Sequence, residues 1–449
     1  MPEEFIRRLG NFRQSPGIVF HGAGISYSEI LSAIDLWTEF LVGNAVPQGA
    51  VVAAEGIYSP ANCALLIALM RNRNIIVPLP PGPDAKRAEF LDVAEVEYVV
   101  AASDPKQCSG LVATGRVAGH ELFERLRRSG APGLVLFSSG TTGRSKASVL
   151  DFAKLINTYD LSKLRPRRTL AFLSLDHIGG INTLMSTFSH GGCIVTVPER
   201  TPRAVFEAVA AFRVDTLPTT PTFLTMSLMS GDLAKHDLSS LRLITYGTEP
   251  MPVQTLRKLN AILPEVRLKQ TYGLSEVGIL PTKSRSNDSL WVKFGTAGFQ
   301  HKIVDGILWV RSDMAMLGYL NAKAPFDEEG YFDTQDVVEV DGEYVHILGR
   351  KSEIINVGGE KVYPNEVESV LLEIENVVEA TVSGQPSPVT GNVVKALVRL
   401  AVSEPQPLVY ARIREYCRGR LEPFKVPVVV DITDRPQHSG RLKKIRVAS

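Results

Sequence analysis

Short apolar runs alternate with amphipathic stretches along the chain, and this alternation limits the possible folds more than any other feature. Val51-Val52-Ala53-Ala54 and Ile75-Ile76-Val77-Pro78-Leu79 read as buried strands, with a helix-forming stretch, Ala61 to Met70, between them. Tyr98 to Ala102, Cys193 to Val197 and Thr216 to Pro218 repeat the strand signature, and Pro202 to Phe212 reads as helix. Runs that are apolar at nearly every position need cover on both faces, which parallel or mixed sheets flanked by helices provide. After about residue 300 the pattern turns β-rich: Ile307 to Val310 and Val337 to Val340 read as strands, and Asp341-Gly342 before Tyr344 to Ile347 is a hairpin signal. Beyond Gly349-Arg350, Pro364-Asn365-Glu366-Val367-Glu368 opens a helix with Pro in its first turn and acids suited to the helix dipole. A strand, Ala396 to Leu400, and a helix over about Leu408 to Arg420 follow. The expected fold is α/β. Residues 1–350 form a large N-terminal domain of parallel or mixed sheets plus a β-rich subdomain, and 351–449 form a small α+β C-terminal domain.

Charge excludes some functions. Lys and Arg number 49 against 48 Asp and Glu, so no general field favours nucleic acid or an anionic membrane surface. Cys63, Cys108, Cys193 and Cys417 are far apart and form no metal-binding spacing; they read as free thiols of a reducing compartment. No run of about 18 uncharged apolar residues suggests a transmembrane span, and the first residues do not read as a signal peptide. The expectation is a soluble cytoplasmic protein.

The chemistry concentrates after the strand-like run Leu134-Val135-Leu136-Phe137, which leads into Ser138-Ser139-Gly140-Thr141-Thr142-Gly143-Arg144-Ser145-Lys146. Glycines let backbone N–H groups approach an anion, hydroxyls donate to phosphate oxygens, and Lys146 adds positive charge. The order of residues differs from the GxxxxGK[ST] phosphate loop. Taken alone, the segment reads as a polyphosphate loop or as a polar connection.

The run Ser-Ser-Gly-Thr-Thr-Gly-Arg-Ser-Lys-Ala-Ser closely resembles the phosphate loop of the adenylate-forming superfamily, which contains acyl- and aryl-CoA synthetases. The resemblance continues in family order. Tyr246-Gly247-Thr248-Glu249-Pro250 is similar to the turn that cradles adenine. Gln270-Thr271-Tyr272-Gly273-Leu274-Ser275-Glu276 resembles the motif whose aromatic ring stacks on adenine, whose hydroxyl meets the α-phosphate and whose glutamate holds Mg²⁺. These roles fall on Tyr272, Ser275 and Glu276, with Thr142 as a second metal-side residue. Asp336, in Tyr331-Phe332-Asp333-Thr334-Gln335-Asp336, matches the aspartate that binds the ribose hydroxyls, although Gln335 replaces the usual glycine. Arg350 matches the arginine that also reaches the ribose. His177, in Leu175-Asp176-His177-Ile178-Gly179-Gly180, resembles the pocket histidine beside the acid's carboxylate, and its register implies an acid without an α-amino group. Gly179, Gly180 and Gly273 either leave room for that acid or meet a backbone requirement.

The resemblance also implies a mobile C-terminal domain. Arg350 to Lys361 is similar to the family's hinge and the loop after it, with Ser352 at the hinge position and Gly358-Gly359 facing a thiol tunnel in a second orientation. Near the end, family members carry Ser/Thr-Gly-Lys, whose lysine neutralises charge during adenylation. Here Ser439-Gly440-Arg441-Leu442-Lys443-Lys444 puts Arg441 in that register, a non-conservative exchange. The cation is therefore Arg441, or Lys443 or Lys444 moves in, or adenylation is slow. The implied activity is ATP- and Mg²⁺-dependent activation of a small-molecule carboxylic acid, followed by transfer to coenzyme A. Transfer to a carrier protein's phosphopantetheine and a degenerate adenylate-binding protein are the alternatives. The oligomeric state stays open, a homodimer among the options.

Overall fold

The computed structural model describes residues 2–81, 83–102, 110–139, 145–159, 165–439 and 442–445. Two large sheets carry the N-terminal part. In the first, the strand order is Arg267–Gln270, Leu243–Tyr246, Thr216–Thr219, Arg168–Leu170, Cys193–Val195, Pro16–Phe20 and Ala23–Ser26. All neighbours pair in parallel except the last hairpin. The second sheet runs Gly318–Tyr319, Ser145–Asp151, Gly133–Ser139, Ile75–Leu79, Val51–Glu55, Tyr98–Ala101 and Leu111–Ala113. Its inner pairs are parallel and its outer pairs antiparallel.

Helix Pro60–Arg71 shows why the sheets stack. Every residue from Ala61 to Met70 is buried, so the helix needs cover all round and lies between the two sheets. Ser59 caps its N-terminus by accepting from the Asn62 N–H, with Pro60 in the first turn. Helices Tyr27–Gly43 and Ile178–Ser189 share this layer, where Trp37, Leu65, Ile181 and Phe188 form one core with residues of both sheets. On the other face of the first sheet, helices Pro202–Phe212, Pro221–Ser230 and Val253–Ile262 build a second core.

A six-stranded antiparallel sheet follows, ordered Thr282–Ser284, Trp291–Phe294, Tyr344–Arg350, Phe332–Asp341, Ile307–Ser312 and Phe299–Val304. It begins earlier than the sequence pattern suggested, because Thr-Lys-Ser at its start is short and polar and carries no alternation. The last sheet pairs Glu360–Val362, Ile355–Val357, Gly391–Leu400, Val377–Ser387 and Val429–Ile432, and its core draws only on residues 355–430. The mixed α/β architecture with a β-rich section matches the sequence expectation.

Three glycines that the sequence singles out have a packing explanation. A Cβ at Gly180 would lie 2.0 Å from the Ser174 carbonyl oxygen, one at Gly179 2.5 Å from Leu173 Cδ1, and one at Gly273 2.7 Å from the Gly278 carbonyl oxygen. At each of the three positions the close approach of neighbouring atoms excludes a Cβ. Replacing Gly180 by Ala should therefore cost about 1–3 kcal/mol through overpacking, read as a lower urea midpoint. An unchanged midpoint would contradict this packing role.

Candidate active site

Parallel strands bring their C-terminal ends to one edge, where α/β sheets place ligands. In the first sheet that edge forms a wall of a cleft of about 1320 Å³. Gln270 and Thr271 end one strand, Gly247, Thr248 and Glu249 follow the next, Pro221 and Thr222 the third, and Asp176 and His177 lie beyond the fourth. Tyr272, Gly273, Ser275 and Glu276 continue the lining, Ser138 enters from the second sheet, and Asp336 and Arg350 enter from the antiparallel sheet. The Gly247 turn is tight: a Cβ there would lie 2.6 Å from the Thr271 carbonyl oxygen, and Thr248 takes a left-handed φ of 74°.

At one end of the cleft, Tyr272 and Asp336 form a buried pair. The Tyr272 hydroxyl donates to Asp336 Oδ2 at 2.6 Å, and Arg350 Nε lies 3.6 Å from Asp336 Oδ1. Burial pushes the Asp336 carboxyl above its ordinary range, while Arg350 and the Tyr272 hydroxyl oppose that shift. Burial, reinforced by Asp336, also raises Tyr272, so its phenol stays protonated and donating. Farther along, the Tyr319 hydroxyl donates to Glu276 Oε1 at 2.7 Å, and Lys146 Nζ lies 5.4 Å from the Tyr319 ring centroid. Burial, then the Glu276 charge, raises the Tyr319 phenol. Tyr319 thus links Lys146 to Glu276, the acidic residue of the Tyr272 to Glu276 segment.

His177 caps helix Ile178–Ser189, its Nδ1 accepting from the Gly179 N–H at 3.0 Å. With Nδ1 so used, a neutral ring carries its proton on Nε2. Lys443 Nζ lies 3.4 Å from that Nε2. Two N–H donors therefore converge on one region, an arrangement suited to an anion. Lys443 arrives there because its neighbours are anchored. Leu442 is buried in the second core, among residues of helices Pro202–Phe212 and Pro221–Ser230, and its carbonyl oxygen accepts from the Thr220 hydroxyl at 2.7 Å. The Lys444 N–H donates to Glu249 Oε2 at 2.9 Å, and its ammonium to Glu368 Oε2 at 2.7 Å.

Two family sequence models match the chain. "AMP-binding enzyme" matches residues 5–320, and "AMP-binding enzyme C-terminal domain" matches residues 366–441. The chain belongs to the AMP-binding enzyme family. An indoleacetate–CoA ligase of Aromatoleum aromaticum is 28% identical over 95% of this chain and 93% of that protein. Among solved structures, an anthranilate CoA ligase in complex with anthranoyl-AMP superposes with a TM-score of 0.81 at 19% identity, covering 98% of this chain and 95% of that one. An amide bond synthetase from Marinactinospora thermotolerans gives 0.80 at 23% identity, covering 98% and 97%. These are similarities of sequence and fold; the family assigns an AMP-forming acid–thiol ligase that uses ATP, Mg²⁺ and coenzyme A.

For this AMP-binding enzyme, other sequence-derived positions fall outside the described residues or off the cleft lining. Gly140, Thr141, Thr142, Gly143 and Arg441 are outside the described residues, as is the Ser139 side chain. Gly358 and Gly359 form the turn between strands Ile355–Val357 and Glu360–Val362 and do not line the cleft. Glu249 holds the tail and the Thr222 N–H. Sequence reading missed Tyr319, Thr220 and Glu368. Tyr319 lies in a two-residue strand, too short for a periodic signal, and the other two act through contacts 222 and 76 residues distant.

The Tyr272–Asp336 pair generates a pH-dependent prediction. Tyr272→Phe removes a donor to the ionised carboxylate and raises the Asp336 pKa further. Ionised Asp336 then costs about 1–3 kcal/mol of stability, fully felt above its folded pKa and relieved as pH falls through it. Urea unfolding followed from pH 8 down to pH 3 should show the loss largest at high pH and shrinking as pH falls through the folded pKa; a loss independent of pH would contradict the pairing.

Proposed function

We propose that the enzyme joins ATP to a carboxylic acid lacking an α-ammonium group and then transfers the acyl group to the thiol of coenzyme A. The convergence of His177 Nε2 and Lys443 Nζ at one end of the cleft carries this reading, because it offers two donors to a carboxylate. Asp176, the alternative partner for an ammonium, is buried and accepts from the Ser174 hydroxyl.

In the proposed reaction, a carboxylate oxygen attacks the α-phosphorus in line. The bond from that phosphorus to the bridging oxygen breaks, and pyrophosphate leaves with the electron pair. Ser138, Ser139, Gly140, Thr141, Thr142, Gly143 and Lys146 hold the phosphates, Ser275 reaches the α-phosphate, and Asp336 with Arg350 holds the ribose. Gly247, Thr248, Gln270, Thr271, Tyr272 and Gly273 surround the base. Lys443 neutralises charge developing at the acid and α-phosphate, with Arg441 as its competitor for that role. Positioning and electrostatics supply most of the acceleration.

No cluster of three or more candidate ligands among the described residues could hold a metal alone. That fits Mg²⁺, which keeps water and substrate phosphate and needs few carboxylates. Glu276, 8% exposed at the cleft, and the Thr142 hydroxyl are its proposed protein ligands, and bound Mg²⁺ would supply charge neutralisation on the phosphates.

The second step replaces AMP. The thiol loses its proton, its sulfur bonds to the carbonyl carbon, and the bond from that carbon to the phosphate oxygen breaks. The tail lies across the acid end of the cleft in the present arrangement. We assign 1–350 and 351–449 as the moving units, with rotation at Ser352 opening the site and bringing Gly358 and Gly359 toward the thiol. Phosphopantetheine on a carrier protein is the alternative acceptor.

A pyrophosphate-exchange screen of arylacetic, benzoic, dicarboxylic and fatty acids tests the first step, and repeating it with coenzyme A or a loaded carrier protein tests the second. The account expects acid-dependent exchange and turnover with free coenzyme A. Exchange with turnover only on the carrier would move the acceptor, and no exchange with any acid would overturn the proposed activity.

A further inference from the structure

Glu249 lies in the turn that the sequence assigns to adenine, yet both its oxygens are committed to protein. Oε1 accepts from the Thr222 N–H at 2.7 Å and Oε2 from the Lys444 N–H at 2.9 Å. Thr222 is in the first turn of helix Pro221–Ser230, where a carboxylate interacts favourably with the helix dipole. Thr220 caps the same turn by accepting from the Phe223 N–H, and donates its hydroxyl to the Leu442 carbonyl. One helix N-terminus, completed by one carboxylate, therefore grips the tail on both sides of Lys443. Thr222, Thr225 and Met226 of this helix also line the cleft.

We infer that Glu249 is a positioning residue for adenylation: it docks the 442–445 segment so that Lys443 meets the acid's carboxylate beside His177. The inference rests on the proposed two-step reaction. It separates the steps, since the tail must be docked for adenylation and withdrawn for thioester formation. A Gln at this position offers one acceptor oxygen and turns an NH₂ toward the other N–H, so charge-independent shape does not suffice.

The test uses the full chain and two half-reactions. Acid-dependent pyrophosphate exchange reports adenylation; thioester formation from a presynthesised acyl-adenylate and coenzyme A reports the second step. Glu249→Ala should slow exchange about 10- to 100-fold, the range set by losing a charged hydrogen-bond acceptor, and leave thioester formation intact. Glu249→Gln should follow Ala, and Leu442→Ala, which weakens the dock from the tail side, should show the same split. Hydrogen exchange across 442–445 should rise in each variant, a readout that needs no turnover. Equal loss in both half-reactions, unchanged pyrophosphate exchange in Glu249→Ala, or unchanged hydrogen exchange at 442–445 overturns the inference. A wild-type chain that activates no acid defeats the proposed reaction instead, while hydrogen exchange still decides the dock.

Discussion

Leu442 occupies a core made mostly of residues from another part of the chain, and the acid end of the cleft depends on that placement. It is 7% exposed, packed with the helices beneath the first sheet, although Gln437 shortly before it bonds to Glu379 and to the Leu397 carbonyl of the last sheet. A buried leucine stabilises by roughly 1.5–3 kcal/mol. That is enough to favour one position of a short tail and small enough to permit release. With Leu442 seated, its neighbour Lys443 reaches His177, and Lys444 spans Glu249 and Glu368. The apolar seat of Leu442, together with the hydrogen bonds to its carbonyl and to the Lys444 N–H, thus helps bring Lys443 to His177.

The opposite end depends on a different balance. Asp336 and Glu276 are buried carboxylates, each steadied by a tyrosine hydroxyl, and Arg350 adds a partly exposed charge to the first. Burial raises the Asp336 carboxyl, while Arg350 and the Tyr272 hydroxyl oppose that shift, and the two tyrosine hydroxyls orient both carboxylates before any ligand arrives. Tyr319 extends this order to Lys146, joining the proposed phosphate-loop lysine to the carboxylate proposed for Mg²⁺. The cleft thus presents donors at His177 and Lys443 and oriented acceptors at Asp336 and Glu276, an arrangement that suits the proposed acid, ribose and metal positions.

Much of the architecture was legible because it follows from local chemistry. The apolar runs at Val51 to Ala54 and Ile75 to Leu79 could only be doubly covered strands, and the Asp341-Gly342 hairpin was marked by its turn residues. Tyr272, Glu276, Asp336 and Arg350 were recognised as motif residues, and the fold gathers them in one cleft. The tail was harder. Motif register favoured Arg441, which lies outside the described residues, whereas Lys443 stands at His177 because Leu442 is buried with the residue's backbone in a left-handed φ of 51°. Side-chain direction after such a turn cannot be read from spacing. Gly180 stood out in the sequence as pocket space or a backbone requirement, and only the fold decides between them, since the Ser174 carbonyl that excludes its Cβ becomes a neighbour after folding.

The central claim is that Lys443 supplies the charge at the acid end. Comparing Lys443→Ala with Arg441→Ala in acid-dependent pyrophosphate exchange tests it most directly. The account predicts that Lys443→Ala loses about 100-fold or more, the scale of one preorganised donor to a developing anion, and that Arg441→Ala retains most exchange. The reverse order, with Lys443→Ala active and Arg441→Ala inert, would contradict it.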